Sequence, residues 1–396
     1  MTINPLAITA ITATSSVGLG LDAHRRALHD SRTGLQFGRF ETTHFDHWFG
    51  AVAGVEQVQL PERLADWQCR NNHLAWLGLQ QDGFIDAVTT LRTRYGAERI
   101  GCFIGTSTAG IQQTELAFRA HAATGVLPEW FHYAQSQNCF SAADFVRHAL
   151  QLDGVSSAIS TACSSSAKVF ASAARAIASG QCDAAVVGGV DSLCLTTVYG
   201  FHALQLISPD ICRPADAARS GISLGEAAGF AILQRVGDAP DSCLRLLGTG
   251  ESSDAYHMSS PDPEGRGARG AMQQALSRAG LNAVDIDYIN LHGTATPAND
   301  IAEDRAVVAL FGTDTPCSST KGWTGHTLGA AGIVEAALCS LALSDGLLPY
   351  SLNTQTLDPE IRGAVLRQSV RKDVRHVLSN SFGFGGSNCS LLLGRA

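Results

Sequence analysis

Cys163 lies in the segment ISTACSSSAKVF, where a strand-like run ends and an alanine-rich helical run begins. Its sulfur is expected near the N-terminus of that helix, where free backbone N–H groups and the helix dipole favour a thiolate and lower the thiol pKa. The same strand–turn–helix arrangement presents nucleophiles in enzymes. A buried structural cysteine is the alternative, and position alone leaves the two interpretations evenly balanced.

Two histidines and a lysine lie in turn-rich segments of the C-terminal part. His292 follows the apolar strand Ile286–Leu291, and a histidine at such a strand end tends to face a ligand crevice, although a structural role is the alternative. Lys321 and His326 lie in STKGWTGHTLGAAG. A lysine in so apolar a stretch needs a charge partner. Glu303, in the first turn of the helix after the His292 loop, is the predicted partner.

A glycine-rich segment near the C-terminus, SNSFGFGGSN, permits tight turns and exposes backbone N–H groups. As a nucleotide-binding signal this segment is weak, because it does not open a helix after a strand in dinucleotide-binding order.

Composition excludes several classes of protein. The 396 residues carry a net charge of −8, which argues against a nucleic-acid footprint. Only 16% are charged, so a deep core or a large subunit interface is expected. The 11 cysteines form no CxxC pair and no metal-ligand spacing, which favours reduced thiols, no metal and a cytoplasmic protein. No membrane span is expected, since no apolar run reaches about 18 residues.

Strand-like runs alternate with helical stretches along the chain, which predicts an α/β fold with sheets covered on both faces. The expected strands are Leu6–Thr12, Arg99–Ile104, Val155–Ile159, Ala184–Val187, Ala228–Leu233, Cys243–Leu247, Ile286–Leu291, Thr315–Ser318, His376–Ser379 and Cys389–Leu393, and the expected helices Arg266–Ala279, Asp300–Leu310 and Gly329–Ser344. Two similar series are visible, and the polar segment Gly237–Ser242 divides them. We therefore expect an N-terminal half, 1–240, carrying Cys163, and a C-terminal half, 241–396, carrying both histidines and Lys321.

Taken together, these segments resemble one family, the elongating β-ketoacyl-acyl-carrier-protein synthases of the thiolase superfamily. The matching stretches are TACSSS at 161–166, GGVDS at 188–192, GEAAG at 225–229, HGTATPAND at 292–300, KGWTGHTLGAAG at 321–332 and NSFGFGGSN at 380–388. The resemblance implies a thiolase-like fold of duplicated βαβαβ halves in five αβαβα layers, and an obligate dimer. It also implies decarboxylative condensation of malonyl-carrier protein with an acyl chain, without a cofactor.

The resemblance assigns roles to matching residues. Cys163 would hold the acyl chain as a thioester, and its backbone N–H and that of Phe384 would form the oxyanion hole. His292 and His326 would donate hydrogen bonds to the malonyl thioester, and Lys321, paired with Glu303, would hold the charge and geometry of the site. Substrate contacts would come from Thr294 and Thr296 on the phosphopantetheine arm, from Phe384 as a gate to acyl entry, and from Phe382 and Thr108.

The same residues separate the chain from its relatives. Degradative thiolases use a second cysteine in a CxG-type loop, where this chain has GFGGSN. Initiating and chalcone-type synthases use Asn in place of the second histidine, and His326 argues against them. Inactive chain-length factors lack the nucleophile that Cys163 supplies. A scaffold subunit of a ketosynthase heterodimer and a cysteine hydrolase stay as alternatives, although no segment supplies the orienting group that a hydrolase needs.

Some positions depart from the family pattern. The basic residues expected to dock an acidic carrier protein are sparse, with Arg63 and Arg70 remaining near Pro61–His73. Thr108 stands where a bulky apolar residue often closes the acyl pocket, so a longer or more polar chain is expected. Growing polyenes of an aryl-polyene or type II polyketide pathway are the leading substrate. The expected partners are an acyl carrier protein and either a second copy or a related chain-length-factor subunit.

Overall fold

The computed structural model describes residues 4–395 of the chain. Its strands are β1 (Leu6–Ser15), β2 (Gly18–Leu19), β3 (Gln36–Gly38), β4 (His47–Gly50), β5 (Ile100–Gly105), β6 (Ser156–Ile159), β7 (Ala184–Asp191), β8 (Leu224–Gly225), β9 (Ala227–Arg235), β10 (Leu244–Ser253), β11 (Tyr288–Asn290), β12 (Pro316–Ser318), β13 (Leu347–Leu348), β14 (Ala364–Val365), β15 (Val370–Arg371), β16 (His376–Gly383) and β17 (Ser387–Gly394).

The α-helices alternate with these strands. They are α1 (Gly20–Asp30), α2 (Arg70–Leu79), α3 (Phe84–Tyr95), α4 (Ile111–Thr124), α5 (Phe140–Ala149), α6 (Ser165–Ala178), α7 (Leu195–Ala203), α8 (Arg266–Ala279), α9 (Pro297–Phe311), α10 (Lys321–Thr324) and α11 (Ala331–Asp345). Glycines in the left-handed conformation follow α8 and α11, at Gly280 and Gly346, and end these helices.

The main sheet contains the same strand arrangement twice. In the first half, β1, β5, β6, β7 and β9 lie in the order β6-β5-β7-β9-β1, and in the second, β10, β11, β12, β16 and β17 lie in the order β12-β11-β16-β17-β10. In each of these orders the first three strands are parallel, and the last two are antiparallel to their neighbours. Antiparallel pairing of β1 with β10 joins the two sets.

Helices cover both faces of both sets of strands. The helices α6 and α11 contact each other and pack between the two sets, where their small and branched side chains share one core with β7, β9 and β17. On the outer faces, α2, α3 and α5 cover the first set, and α8 and α9 cover the second. The predicted α/β fold of duplicated halves in five αβαβα layers is thus confirmed.

The predicted elements match the structure closely in the second half. Helix α8 has the predicted bounds, while α9 and α11 differ by one to three residues at their ends. All ten predicted strands exist, but β7, β10 and β16 are four or five residues longer than expected, and β11 is three residues shorter. The division at 240/241 falls in the connection between β9 and β10, and the division of the chain into these two halves stays a prediction.

One apolar stretch reaches a length that was not expected of any apolar run in the sequence. Residues Leu328–Asp345 are long and apolar enough to cross a membrane by length and composition. In the fold, however, 89% of this stretch is buried, because α11 is one of the two central helices. Its hydrophobicity therefore serves the core between the two sets of strands.

Candidate active site

A strained turn presents Cys163 between β6 and α6. Ala162 has a positive φ of 51°, a conformation that L-residues rarely adopt. The Ser165 hydroxyl closes the turn by accepting a hydrogen bond from the Thr161 N–H at 2.9 Å and donating one to the Ala162 carbonyl at 2.6 Å. The predicted strand–turn–helix presentation of Cys163 is what the structure contains.

The turn places the thiol beside both predicted histidines. Cys163, His292 and His326 line one cavity of about 320 Å³. The Cys163 Sγ lies 3.0 Å from His326 Nε2, and the two imidazole rings have centroids 5.4 Å apart. The potential ligand atoms of the three side chains lie within 4.8 Å of one another, close enough to hold a metal ion. The expectation that the site works without a metal stays a prediction.

Lys321 is buried beside this group, but its partner differs from the predicted one. Its Nζ contacts Glu335 Oε1 at 2.5 Å and donates to the His292 carbonyl, and both side chains of the ion pair are almost fully buried. The prediction that Lys321 pairs with Glu303 is therefore wrong. Glu335 belongs to α11, the helix that follows α10 along the chain, and its carboxylate lies beside the Lys321 ammonium.

Glu303 instead fixes the backbone of the His292 loop. Its two carboxylate oxygens accept hydrogen bonds from the N–H groups of His292 and Gly293, each at 2.8 Å. Asn380 donates a third hydrogen bond at 3.1 Å. Burial raises the pKa of Glu303 to about 7, against the lowering effect of these donors. The residue holds His292 in place through the main chain, although it also lines the cavity.

The thiol of Cys163 is not the low-pKa thiolate that its position suggested. Burial raises its pKa to about 11, although the Lys321 ammonium and the backbone N–H of Phe384 both lower it. Desolvation therefore outweighs the groups that favour a thiolate in this site, because burial disfavours the charged form of the thiol. In the resting site Cys163 is a neutral thiol, with a base 3.0 Å away at His326.

Both imidazoles are neutral as well. Burial first, and the Lys321 charge second, hold the pKa values of His292 and His326 well below their usual range. Lys321 Nζ lies 3.4 Å from His292 Nδ1. Because an ammonium group only donates, Nδ1 of His292 accepts, which assigns the ring proton to Nε2. The neutral His292 ring therefore offers its Nε2–H as a hydrogen-bond donor in the site.

The glycine-rich loop after β16 forms another wall of the cavity. Phe382 and Phe384 line it, with the Phe384 ring 5.6 Å from that of Phe201 and the Phe382 ring 5.9 Å from that of His292. Gly383 packs against the turn that presents Cys163, and a Cβ on residue 383 would lie 2.7 Å from the Thr161 carbonyl oxygen. A larger residue at 383 would displace the Phe384 N–H from Cys163.

Thr294 and Thr296 lie at the same cavity. Both residues line it, and their hydroxyl groups are hydrogen-bonded to each other at 2.8 Å. Each hydroxyl still has lone pairs to offer a ligand. Their predicted contact with the phosphopantetheine arm is compatible with this position and stays a prediction.

Thr108 lies outside the lining of this cavity. Its hydroxyl donates to Asp191 Oδ1 at 2.9 Å, and its backbone N–H donates to the same oxygen at 3.0 Å. Thr106 and Ser107 also donate to Asp191. The predicted role of Thr108 in setting acyl length stays a prediction. In the structure the residue helps to hold the Asp191 carboxylate in place.

Asp191 is the positioning residue that sequence reasoning missed. It is fully buried and also accepts the Gly329 N–H at 2.5 Å, three residues after His326. The carboxylate thereby ties the loop after β5 to the turn that carries His326 against Cys163. Asp191 is part of the GGVDS stretch. Its position at the end of a buried strand could have identified it, because a buried aspartate needs several hydrogen-bond donors.

Of the two arginines considered for carrier docking, Arg70 is unavailable. Its side chain is only 9% exposed and forms ion pairs with the buried Glu226 and with Glu56. Arg63 is exposed, with its guanidinium 5.9 Å from the centroid of the Trp76 ring, and it donates to the Ala149 carbonyl. Of these two arginines, only Arg63 therefore stays available for a basic docking face around Pro61–His73.

Comparisons with known proteins agree on one family. Residues 63–239 match the model described as beta-ketoacyl synthase, N-terminal domain, and residues 244–355 match the corresponding C-terminal domain. The chain is 31% identical over 408 residues to 3-oxoacyl-[acyl-carrier-protein] synthase 2 of Vibrio harveyi, covering 97% of both chains. It is 41% identical to the Rhizobium meliloti protein of the same name, over 63% of this chain and 62% of that protein.

Solved structures extend the comparison. A ketosynthase in complex with its chain length factor from Xenorhabdus doucetiae is 36% identical, with a TM-score of 0.91 over 99% of this chain and 98% of that one. The ishigamide ketosynthase/chain length factor is 26% identical, with a TM-score of 0.90 and full coverage of both chains.

Removal of either member of the Lys321–Glu335 pair should change thiol reactivity in opposite directions. Lys321→Met removes a charge that lowers the Cys163 pKa, so alkylation by iodoacetamide at pH 8 slows. Glu335→Gln removes a charge that raises it, so alkylation accelerates. Each unit of pKa changes the thiolate fraction about tenfold. The measurement is the pH dependence of alkylation, read as the mass of the Cys163 peptide; equal rates in both variants would contradict this electrostatic account.

Asp191→Asn should misplace His326. The new amide group points donors at the N–H groups that Asp191 now accepts, which costs about 1–3 kcal/mol of unfolding free energy. Decarboxylation should slow on the order of 10–100-fold, since small misplacements of catalytic groups have effects of this size. Thr108→Val, which removes one donor and keeps the shape, is the control. A variant with unchanged decarboxylation at a reduced melting temperature would show that Asp191 serves stability alone.

Proposed function

Because the chain belongs to the β-ketoacyl synthase family, we propose that it is an elongating β-ketoacyl-acyl-carrier-protein synthase that extends an acyl chain by two carbons. The observation that carries this proposal is the Cys163 thiol, 3.0 Å from His326 Nε2 and next to His292 in one cavity. Degradation by thiolysis is disfavoured, since the loop opposite Cys163 holds Phe384 rather than a second cysteine.

In the first step the acyl chain moves to Cys163. The sulfur attacks the thioester carbonyl of the acyl-carrier protein while its proton passes to His326 Nε2. Because a free thiolate is costly here, attack and proton transfer occur together. The backbone N–H groups of Cys163 and Phe384 would stabilise the oxyanion. The bond to the carrier sulfur then breaks, and that sulfur takes the proton from His326.

In the second step malonyl-carrier protein loses carbon dioxide. The bond between the carboxylate and the α-carbon breaks, and its electron pair forms an enolate whose oxygen accepts hydrogen bonds from His292 Nε2–H and from His326. His326 has no thiol proton to accept after acylation, so its Nε2–H tautomer can donate. The α-carbon attacks the acyl carbonyl on Cys163, and the Cys163 sulfur leaves as a thiolate, which takes up a proton from solvent to restore the neutral thiol. Thr294 and Thr296 would hold the phosphopantetheine arm during both steps.

A polyene or polyketide substrate is the finer part of the proposal. The cavity is lined by Phe201, Ile222, Phe382 and Phe384, which offer aromatic and branched surfaces to a flat unsaturated chain. The small Thr108 would leave room beyond the cavity. We therefore infer a specialised pathway rather than housekeeping fatty-acid synthesis.

Assembly with a second ketosynthase-like subunit, either a copy of this chain or a chain-length factor, is also part of the proposal. Half of the exposed large apolar side chains of the described residues lie within one segment: Leu116, Phe118, Val126, Leu127, Trp130, Tyr133 and Phe140. Nearby β6 ends the main sheet, and its outer edge pairs with no strand in residues 4–395. An apolar segment beside an open strand edge supports a subunit interface.

Acylation and extension can be tested directly. The protein is incubated with acyl-carrier proteins of several chain lengths and saturation states, and the mass of the Cys163 peptide is followed. Malonyl-carrier protein is then added, and products are expected to be two carbons longer. Cys163→Ala should abolish acyl transfer, whereas Cys139→Ala, at an exposed cysteine, should not. If Cys163 stays unmodified with every donor, also after a partner subunit is added, the proposal fails.

The apolar segment can be tested with two charged substitutions. Phe118→Asp and Trp130→Asp, at side chains 59% and 46% exposed, should shift the protein from dimer to monomer in native mass spectrometry or light scattering. Val284→Asp, at a residue 90% exposed elsewhere, is the matched control and should leave the assembly unchanged. A dimer that survives both substitutions would place the interface on another surface.

A further inference from the structure

A second cleft, separate from the catalytic cavity, is lined by four arginines. It has a volume of about 840 Å³ and lies between the C-terminal part of α6, the end of β9 and the beginning of β10. The arginines are Arg175, Arg235, Arg245 and Arg278, and no aspartate or glutamate is among the lining residues. The catalytic cavity is at the opposite, N-terminal end of α6, a helix of 14 residues, about 21 Å long.

The carboxylates around this cleft do not balance its arginines. Arg175 pairs with Glu251 at 2.7 Å, and Arg235 pairs with Asp183 at 3.0 Å and with Asp238 at 3.8 Å, a carboxylate that Arg94 also contacts. Asp183 is shared, because Arg99 also contacts it at 2.8 Å. The cleft therefore has an excess of positive charge, in a protein whose net charge is −8.

Arg245 and Arg278 carry this excess. Among residues 4–395 neither forms an ion pair, although both are half-buried. Arg278 donates to the Thr249 carbonyl at 2.8 Å, which orients the guanidinium without neutralising it. The negative end of the α6 dipole could account for Arg175, which belongs to the last turn of that helix, but not for arginines that come from β10 and α8.

Most of the remaining lining is apolar, and Asn4 and Thr249 are its polar members. Leu6, Ala171, Ala174 and Ile177 are all buried and contribute side chains to it. Three small alanine positions keep the space between α6 and β10 open. The cleft thus offers hydrocarbon surface beside guanidinium groups, a combination suited to a ligand with an apolar chain and an anionic head.

From this juxtaposition we propose that the cleft binds an anionic amphiphile: an acyl or alkyl chain bearing a carboxylate or phosphate. The guanidinium groups of Arg245 and Arg278 hold the head, and the alanine-lined surface of α6 holds the chain. Free fatty acids supply a carboxylate, and phosphorylated lipids or coenzyme esters supply a phosphate. The site is independent of the condensation proposed above, since it shares no lining residue with the catalytic cavity.

Isothermal titration calorimetry with dodecyl phosphate and with dodecanoate, both below their critical micelle concentrations, tests the site. Dodecyl maltoside, which has the chain but no charge, and pyrophosphate, which has the charge but no chain, separate the two contributions. The anionic amphiphiles should bind at least about tenfold more tightly than either. Their affinity should also fall with added salt, because the head is held by charge.

The Arg245→Gln/Arg278→Gln double variant should weaken binding of both anionic amphiphiles at least tenfold. Arg362→Gln/Arg371→Gln makes the same charge change at exposed arginines elsewhere and should bind like the unmodified protein. If the first double variant does not fold, Arg245→Gln alone carries the test. Unchanged affinity in the Arg245→Gln/Arg278→Gln variant would overturn the proposal, because the amphiphile would then bind elsewhere, for example in the catalytic cavity. Equal affinity for dodecyl maltoside would overturn it as well.

Discussion

A single buried ammonium group, that of Lys321, determines the electrostatics of the catalytic site. Isolated burial of this charge would cost several kcal/mol, and the Glu335 carboxylate at 2.5 Å offsets that cost. The same charge lowers the thiol pKa of Cys163 and suppresses protonation of both imidazoles. Removal of the lysine would therefore alter three groups at once. With the pair present, the site contains a neutral thiol and two neutral imidazoles.

The layer arrangement explains how residues so distant in sequence meet. Cys163 precedes α6, and His326 precedes the turn that leads into α11. These two helices pack against each other between the two sets of strands, so their N-terminal ends bring thiol and imidazole together. Asp191 completes the arrangement, because its carboxylate binds the loop after β5 on one side and Gly329 on the other. The close contact of 3.0 Å thus depends on the central packing and on one buried hydrogen-bond network.

The sequence permits prediction of the elements and of the residues that carry the chemistry, but not of every partner. Strand ends and glycine-rich turns mark Cys163, His292 and His326, because local chain geometry fixes them. The choice between Glu303 and Glu335 for Lys321 depends on how α9 and α11 pass the lysine, which is a tertiary property. Likewise, the position of Cys163 before α6 indicates a low pKa, whereas burial, which depends on the whole fold, reverses the direction. Local signals therefore identify groups, and packing decides their charge.

The position of β6 links assembly to the reactive thiol. This strand ends four residues before Cys163, lies at the end of the main sheet, and pairs on one side with β5 alone within the described chain. An edge strand that is half-buried and pairs on one side only is held less firmly than a central strand. The strained Ala162 conformation follows directly and must be maintained by its surroundings. A partner subunit that covers the edge of β6 would therefore stabilise the turn that presents the nucleophile, so catalytic competence and association are expected to depend on each other.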